Sequence, residues 1–293
     1  MQARTAWLAS LAMIAFAANS LLCRAALAGT EVDASTFTLV RIVSGAFVLA
    51  LLLRARGARA ETKTGWLPAL ALFGYAATFS YAYLGLSTAT GALILFGSVQ
   101  ATMIGRAAYA GERFGGWQVA GFGLAFAGFV ALLLPGATAP HWLPAGSMIA
   151  AGVFWGAYSL AGRGAADPLS ATATNFARAI LPAAVLSVVT VGSIRVDPAG
   201  VAYAVASGAL ASGLGYVIWY AAVRGLRAGS AAIIQLSVPF IAALGGVVLL
   251  DEALSLRLVI ASAALIGGIA VALLCEQRHS PGSSAPEGKR PVS

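Results

Sequence analysis

The chain has 293 residues, 60% of them hydrophobic and only 10% charged, with a mean hydropathy of +0.87 and a formal net charge of +8. A water-soluble domain of this length needs a charged shell that this composition does not supply. The apolar residues run in long stretches without period-2 alternation, which excludes an outer-membrane barrel and leaves an all-α bundle in lipid.

Ten spans of roughly 20 residues follow from the apolar runs and their breakers. The first, 5–27, follows Arg4 and ends near Ala26-Leu27-Ala28, a pattern that mimics a signal-peptide cleavage site. Cleavage would leave nine spans and destroy the repeat described below, so the segment is read as a span, and it carries Asn19. The second, 35–53, holds Arg41. The third, 65–84, places Tyr75, Thr78 and Phe79 on one face at i, i+3, i+4 spacing. The fourth, 89–110, carries Gln100, and the fifth is 117–134. The sixth, 143–162, repeats the aromatic spacing with Trp155, Tyr158 and Ser159. The seventh, 171–191, is the least apolar, because 170–178 is polar for a membrane segment and includes Arg178. The eighth, 200–223, presents Tyr216, Trp219 and Tyr220. The ninth, 229–250, carries Gln235 and Pro239, and the tenth is 256–275. The tail, 276–293, is rich in Ser, Pro, Gly and charge and reads as a disordered cytoplasmic segment.

The basic residues form no patch, so no nucleic acid is expected as a partner. They lie between the apolar runs. Twelve of the 18 Lys and Arg fall on the side that holds the N-terminus, and three (Arg24, Arg195 and Arg257) fall opposite. This bias predicts a bacterial-type inner-membrane protein with both termini in the cytoplasm. Cys23 and Cys275 are the only cysteines, one inside a span and the other near the end of the last, so neither a disulfide framework nor a metal site is expected, and no cofactor is implied.

Shifting the sequence by 140 residues superposes Leu86 on Leu226, Ala92 on Ala232, Ile94 on Ile234, Glu112 on Glu252 and Gly128 on Gly268. With a slightly smaller shift, Phe16, Ser20 and Arg24 meet Trp155, Ser159 and Arg163, and Arg41 meets Arg178. The chain thus reads as two five-helix units, 1–137 and 138–275. Five is odd, so the second unit enters the membrane from the opposite side, as in many secondary transporters with a midplane site.

Two five-span repeats, an Arg in the second span of each and a Gly-Glu or Asp-Glu closing the fourth resemble the EamA family of the drug/metabolite transporter superfamily. The stretch Phe96-Gly97-Ser98-Val99-Gln100-Ala101-Thr102-Met103-Ile104 looks like the YddG-type aromatic amino acid exporters. Many members carry a proline in the fourth span of both repeats; here only Pro239 is present, with Val99 in the matching place. The resemblance implies a ten-helix basket whose helices 1, 3, 4, 6, 8 and 9 surround a central cavity.

The aromatic triplets fall on spans that would line such a cavity, where a ring can stack on a flat solute or cover an ammonium group; packing and interfacial roles compete for the same rings. Asn19, Gln100 and Gln235 are polar within spans and serve either the cavity or interhelical contacts. Arg41 and Arg178 could hold a carboxylate, but their repeat symmetry favours a structural role, and Pro239 would kink a gating helix. All ten acids lie at span ends, in loops or in the tail. That predicts gradient-driven transport without proton coupling through a buried acid. The expected activity is export of neutral, aromatic or large apolar amino acids by alternating access, from a monomer whose partners are the solute and the bilayer. The alternatives are efflux of other amphiphilic metabolites or drugs, a pore, and an intramembrane enzyme. For the last, no His-Glu-x-x-His or Gly-x-Ser-x-Gly pattern is present.

Overall fold

The computed structural model describes residues 3–58, 65–134, 139–162, 165–223, 226 and 234–279. Among these, every regular element is helical: α1 (Ala3–Gly29), α2 (Ala34–Ala55), α3 (Leu67–Tyr83), α4 (Thr88–Tyr109), α5 (Gly116–Leu133), α6 (Trp142–Gly162), α7 (Pro168–Val189), α8 (Pro198–Ala206), α9 (Gly215–Val223), α10 (Ser237–Leu250) and α11 (Leu256–His279). A π-helical stretch, Ser207–Leu214, joins α8 to α9 in one rod. Seven stretches are long and apolar enough to cross a membrane, and Ser237–Leu250 and Leu256–Ala272 are shorter apolar helices. The molecule is a multi-pass membrane protein.

Helix starts follow local chemistry. Asp33, Ser87, Asp167 and Asp197 each accept a hydrogen bond from a backbone N–H in the first turn of the helix they precede. Asp33 also accepts from the Arg195 backbone N–H at 2.9 Å, tying the α1–α2 turn to the segment before α8. Burial alone would raise its carboxyl pKa. Hydrogen bonds from Ser35, Thr36 and the Arg195 backbone outweigh that and hold it at about 2. A depressed pKa stabilises the fold above the unfolded value of 3.8, and the contribution disappears as pH falls towards 2. After allowance for solvent screening it is on the order of 1 kcal/mol. The unfolding midpoint in detergent should therefore fall through this acid window, and Asp33→Asn should flatten that part of the profile.

Small residues set the closest contacts. In the α5–α11 pair, a Cβ on Gly128 would sit 2.9 Å from the Ala261 carbonyl and the Leu265 N, and one on Gly268 would sit 2.4 Å from the Gly121 carbonyl and 2.5 Å from the Ala125 N. Residue numbers rise along one helix as they fall along the other, so the two run antiparallel. The Arg257 guanidinium, at the start of α11, donates to the Ala131 and Leu134 carbonyls at the end of α5. Elsewhere α2 packs on α7, α3 and α4 on α6, and α1 on α9 and α10.

The polar run that made the seventh span doubtful faces inward: Ser170, Thr172, Thr174 and Asn175 are all buried. Three sequence expectations change in detail. The last helix continues to His279, into the expected tail. The eighth span is interrupted by the π stretch. In the ninth, the helical course is interrupted by a turn at Leu236, three residues before Pro239, which stands in the first turn of α10, where its missing N–H costs nothing. Ala232 and the expected start of the ninth span lie outside the described residues, as do Arg163 and residues 280–293 of the tail.

Candidate functional site

The rings of α1, α3, α6 and α9 converge at mid-bundle. The Trp155 indole sits 4.9 Å from the Tyr75 ring, 5.1 Å from Tyr216, 5.5 Å from Tyr158 and 6.3 Å from Phe16, centroid to centroid. These are favourable tilted and edge-on aromatic separations. Beside the indole remains a cavity of about 20 Å³, lined by Phe16, Asn19, Ser20, Tyr75, Phe79, Leu95, Phe96, Trp155, Ala211 and Tyr216. That is room for about one water. The Trp155 indole forms one wall of the cavity.

One corner of the cavity is polar. Ser207 donates to Asn19 Oδ1 at 2.6 Å, and Asn19 Nδ2 donates to the Tyr75 hydroxyl at 3.1 Å. Arg41 Nη2 also donates to the Tyr75 hydroxyl at 3.1 Å, and Arg41 Nε donates to Ser212 Oγ at 3.3 Å. The guanidinium lies 5.1 Å from both the Tyr75 and Phe79 ring centroids. Arg41 is 2% exposed, and its Nη1 finds no hydrogen-bond partner among the described residues. The ion pairs found among those residues, Arg24–Glu252 and Arg195–Glu31, do not include it. An ionised Arg at the centre of a membrane helix costs about 2.5–3.5 kcal/mol on insertion scales, and two cation–π contacts return about 0.5–2 kcal/mol each. The charge is thus tolerated without being neutralised.

The π stretch explains this corner. Its i→i+5 bonding widens the turn so that Ser207 and Ser212, five apart, both reach inward, with Ala211 on the cavity wall. Gly208 lets α2 approach: a Cβ there would lie 2.0 Å from the Arg41 carbonyl.

Of the residues singled out from sequence, Asn19, Tyr75, Phe79, Trp155 and Tyr216 line this cavity. Tyr158 is buried against Trp155, and Trp219 lies 5.9 Å from Phe16, both just behind the wall. Thr78 turns its hydroxyl to the Gly74 carbonyl of its own helix at 2.7 Å. Tyr220, Ser159 and Gln235 are half-buried and line neither this cavity nor the one described next. Gln100 lies elsewhere, in a larger cavity of about 520 Å³ between α4, α6 and the α5–α11 pair, lined mainly by Phe122, Phe126, Phe129, Ile149, Val153, Leu265 and Ile269. Arg178 is half-buried and reaches the Gly65 carbonyl at 3.1 Å and the Trp66 ring at 5.7 Å. Its environment differs from that of Arg41. Sequence reasoning missed Phe16 and Ser20 as lining residues, although both stood in the repeat matches. It also missed Leu95 and Phe96, although Phe96 opens the stretch that carries the family resemblance, and it missed Ser207, Ala211 and Ser212, whose only signal was the small-polar composition of 207–213.

At one end of the bundle the Arg24 Nε donates to Glu252 Oε1 at 3.1 Å, and Arg24 Nη1 donates to the Tyr83 carbonyl at 3.0 Å. Glu252 Oε2 accepts the Thr88 N–H at 2.8 Å. This clasp joins α1, the α3–α4 turn and the α10–α11 connection. Among the described residues no group of three His, Cys, Asp or Glu is placed to hold a metal ion.

Residues 143–274 match the EamA-like transporter family. The chain is 53% identical over 271 residues to an uncharacterized protein of Pseudomonas aeruginosa, covering 92% of this chain and 94% of the relative. A crystal structure of another protein superposes with a TM-score of 0.64 at 25% identity, over 91% of this chain and 99% of the other.

Proposed function

Because the chain belongs to the EamA-like transporter family, we propose that it exports neutral amino acids with aromatic or large apolar side chains across the inner membrane by alternating access. The observation that carries the substrate class is Trp155 enclosed by Phe16, Tyr75, Tyr158 and Tyr216. The site already holds a flat ring, and a solute ring entering an opened cavity would exchange for that indole. No acidic residue lines either cavity, which favours movement down a gradient over proton coupling through a buried acid.

The alternating mechanism rests on two five-helix units of opposite orientation, with both termini cytoplasmic. Adding 140 to the contacts of Gly268, namely Gly121 and Ala125, gives Ala261 and Leu265, which are the contacts of Gly128. Such reciprocal contacts are what a two-fold relation produces. The antiparallel course of α5 and α11 supports the inversion, and so does the exchange of α3–α6 for α1–α9 and of α4–α6 for α1–α10. On this reading the Arg24–Glu252 clasp closes the periplasmic end.

The test is counterflow of labelled phenylalanine or tryptophan in proteoliposomes. Wild type is expected to show it, and Trp155→Ala and Tyr158→Ala are each expected to cut the rate at least about tenfold, equivalent to about 1.4 kcal/mol. Normal transport by both variants would remove the site assignment, and the absence of flux with every neutral amino acid would remove the substrate class. The apolar cavity along α4 favours a second reading, efflux of other amphiphilic metabolites or drugs entering from the bilayer. Competition by apolar drugs that matches competition by amino acids would favour it.

A further inference from the structure

We infer that the central site recognises its solute through the carboxylate and not through the ammonium group, so that an aromatic acid lacking the amine is a ligand and an aromatic amine lacking the acid is not. The inference rests on the aromatic-solute reading above and specifies which end of that solute is held.

Three observations carry it. First, the Tyr75 hydroxyl accepts two hydrogen bonds, from Asn19 Nδ2 and from Arg41 Nη2. Its own proton is thereby left to donate, and Tyr75 lines the cavity. The Arg41 charge behind that oxygen makes the O–H a stronger donor towards an anion. Second, Arg41 is 2% exposed, has an unpartnered Nη1 and takes no part in an ion pair among the described residues. A carboxylate at this corner would supply the missing counter-charge without any protein acid being spent. Third, no acid lines the cavity to receive an ammonium group. Rings could in principle cover a cation, but the Tyr75 and Phe79 faces already carry the guanidinium at 5.1 Å, and a second cation there meets like-charge repulsion. Arg41 acts through Tyr75 and is a positioning residue; Tyr75 is the group that touches the solute.

The experiment is competition against phenylalanine counterflow by 3-phenylpropanoate and by phenethylamine, with thermal stabilisation of the detergent-solubilised protein by the same two compounds as a readout independent of transport. The acid is expected to compete nearly as well as unlabelled phenylalanine, and the amine at least about tenfold more weakly. The acid is expected to raise the unfolding midpoint and the amine to leave it unchanged. Tyr75→Phe and Arg41→Gln should close the gap between the two compounds, and Arg41→Lys, which keeps the charge, should preserve it. Equal or better competition by the amine overturns the inference, as does a gap that survives Arg41→Gln. If wild type shows no phenylalanine flux, the transport reading fails. The stabilisation assay then decides this inference alone, and stabilisation by neither compound or by the amine overturns it.

Discussion

Gly208→Ala is expected to lower the unfolding midpoint in detergent by at least about 5 °C, taking roughly 2–4 °C per kcal/mol for a chain of this size, and to abolish transport. The usual sign of this substitution is the reverse, since alanine in a helix interior gains about 0.5–1 kcal/mol over glycine. Here a Cβ would lie 2.0 Å from the Arg41 carbonyl and 2.1 Å from Ser44 Oγ. The carbonyl belongs to the α2 backbone, so relief requires the helices to separate, and overpacking of this kind costs typically about 1–3 kcal/mol, occasionally more. Separation also withdraws Ser212 from Arg41 and Ser207 from Asn19, which dismantles the polar corner. Gly123→Ala is the control. It lies in α5 with nothing within 4 Å of its would-be Cβ, and it should be neutral or stabilising. Equal behaviour of the two variants would show that the α2 contact tolerates a methyl group and does not position the site.

Glu252→Gln is expected to speed thiol labelling of Cys23 by about tenfold or more, a shift of about 1.4 kcal/mol between closed and open forms. Cys23 is fully buried and adjoins Arg24, so reagents reach it only when that end of the bundle parts. The Glu252 side chain is 12% exposed and holds both Arg24 and the Thr88 N–H. Glutamine keeps the shape and part of the hydrogen bonding but leaves the Arg24 charge unpaired. Losing one partner of a partly buried pair costs more than losing an exposed one. The measurement uses a Cys275→Ser background and a membrane-impermeant reagent. Unchanged labelling would assign the clasp to static packing.

What the sequence displayed clearly was whatever depends on one helix at a time. The apolar runs located the helices to within a few residues, and i, i+3, i+4 spacing found Tyr75 with Phe79 as neighbours on one face. It could not say which neighbour a face would meet. Gln100 stands on α4 as plausibly as Phe96 does, yet α4 turns Phe96 to the centre and Gln100 towards the α5–α11 pair. The offset of five between Ser207 and Ser212 places them on different faces of an α-helix, so the π stretch concealed their common direction. Arg41 and Arg178 match in the repeat, but the burial of one and the partial exposure of the other depend on tertiary contacts with α3 and the π stretch. The polar run at 170–178 looked like weak evidence for a span for the same reason, because the groups that cover it stand on other helices: Tyr158 beside Thr172 and Asn175, Tyr220 beside Thr172, and α2 and α3 along the rest.

That polar run has a consequence for biogenesis. A nascent segment bearing Ser170, Thr172, Thr174 and Asn175 partitions poorly from the translocon into bare lipid, where these groups would face hydrocarbon. α7 packs mainly against α2 and α3, both synthesised earlier, while Thr172 and Asn175 also meet Tyr158 of α6 and Thr172 meets Tyr220 of α9. The early helices α2 and α3 are therefore expected to act as an insertion scaffold for α7. A second half expressed alone should stall with this segment outside the bilayer, and co-expression of the first half should draw it in.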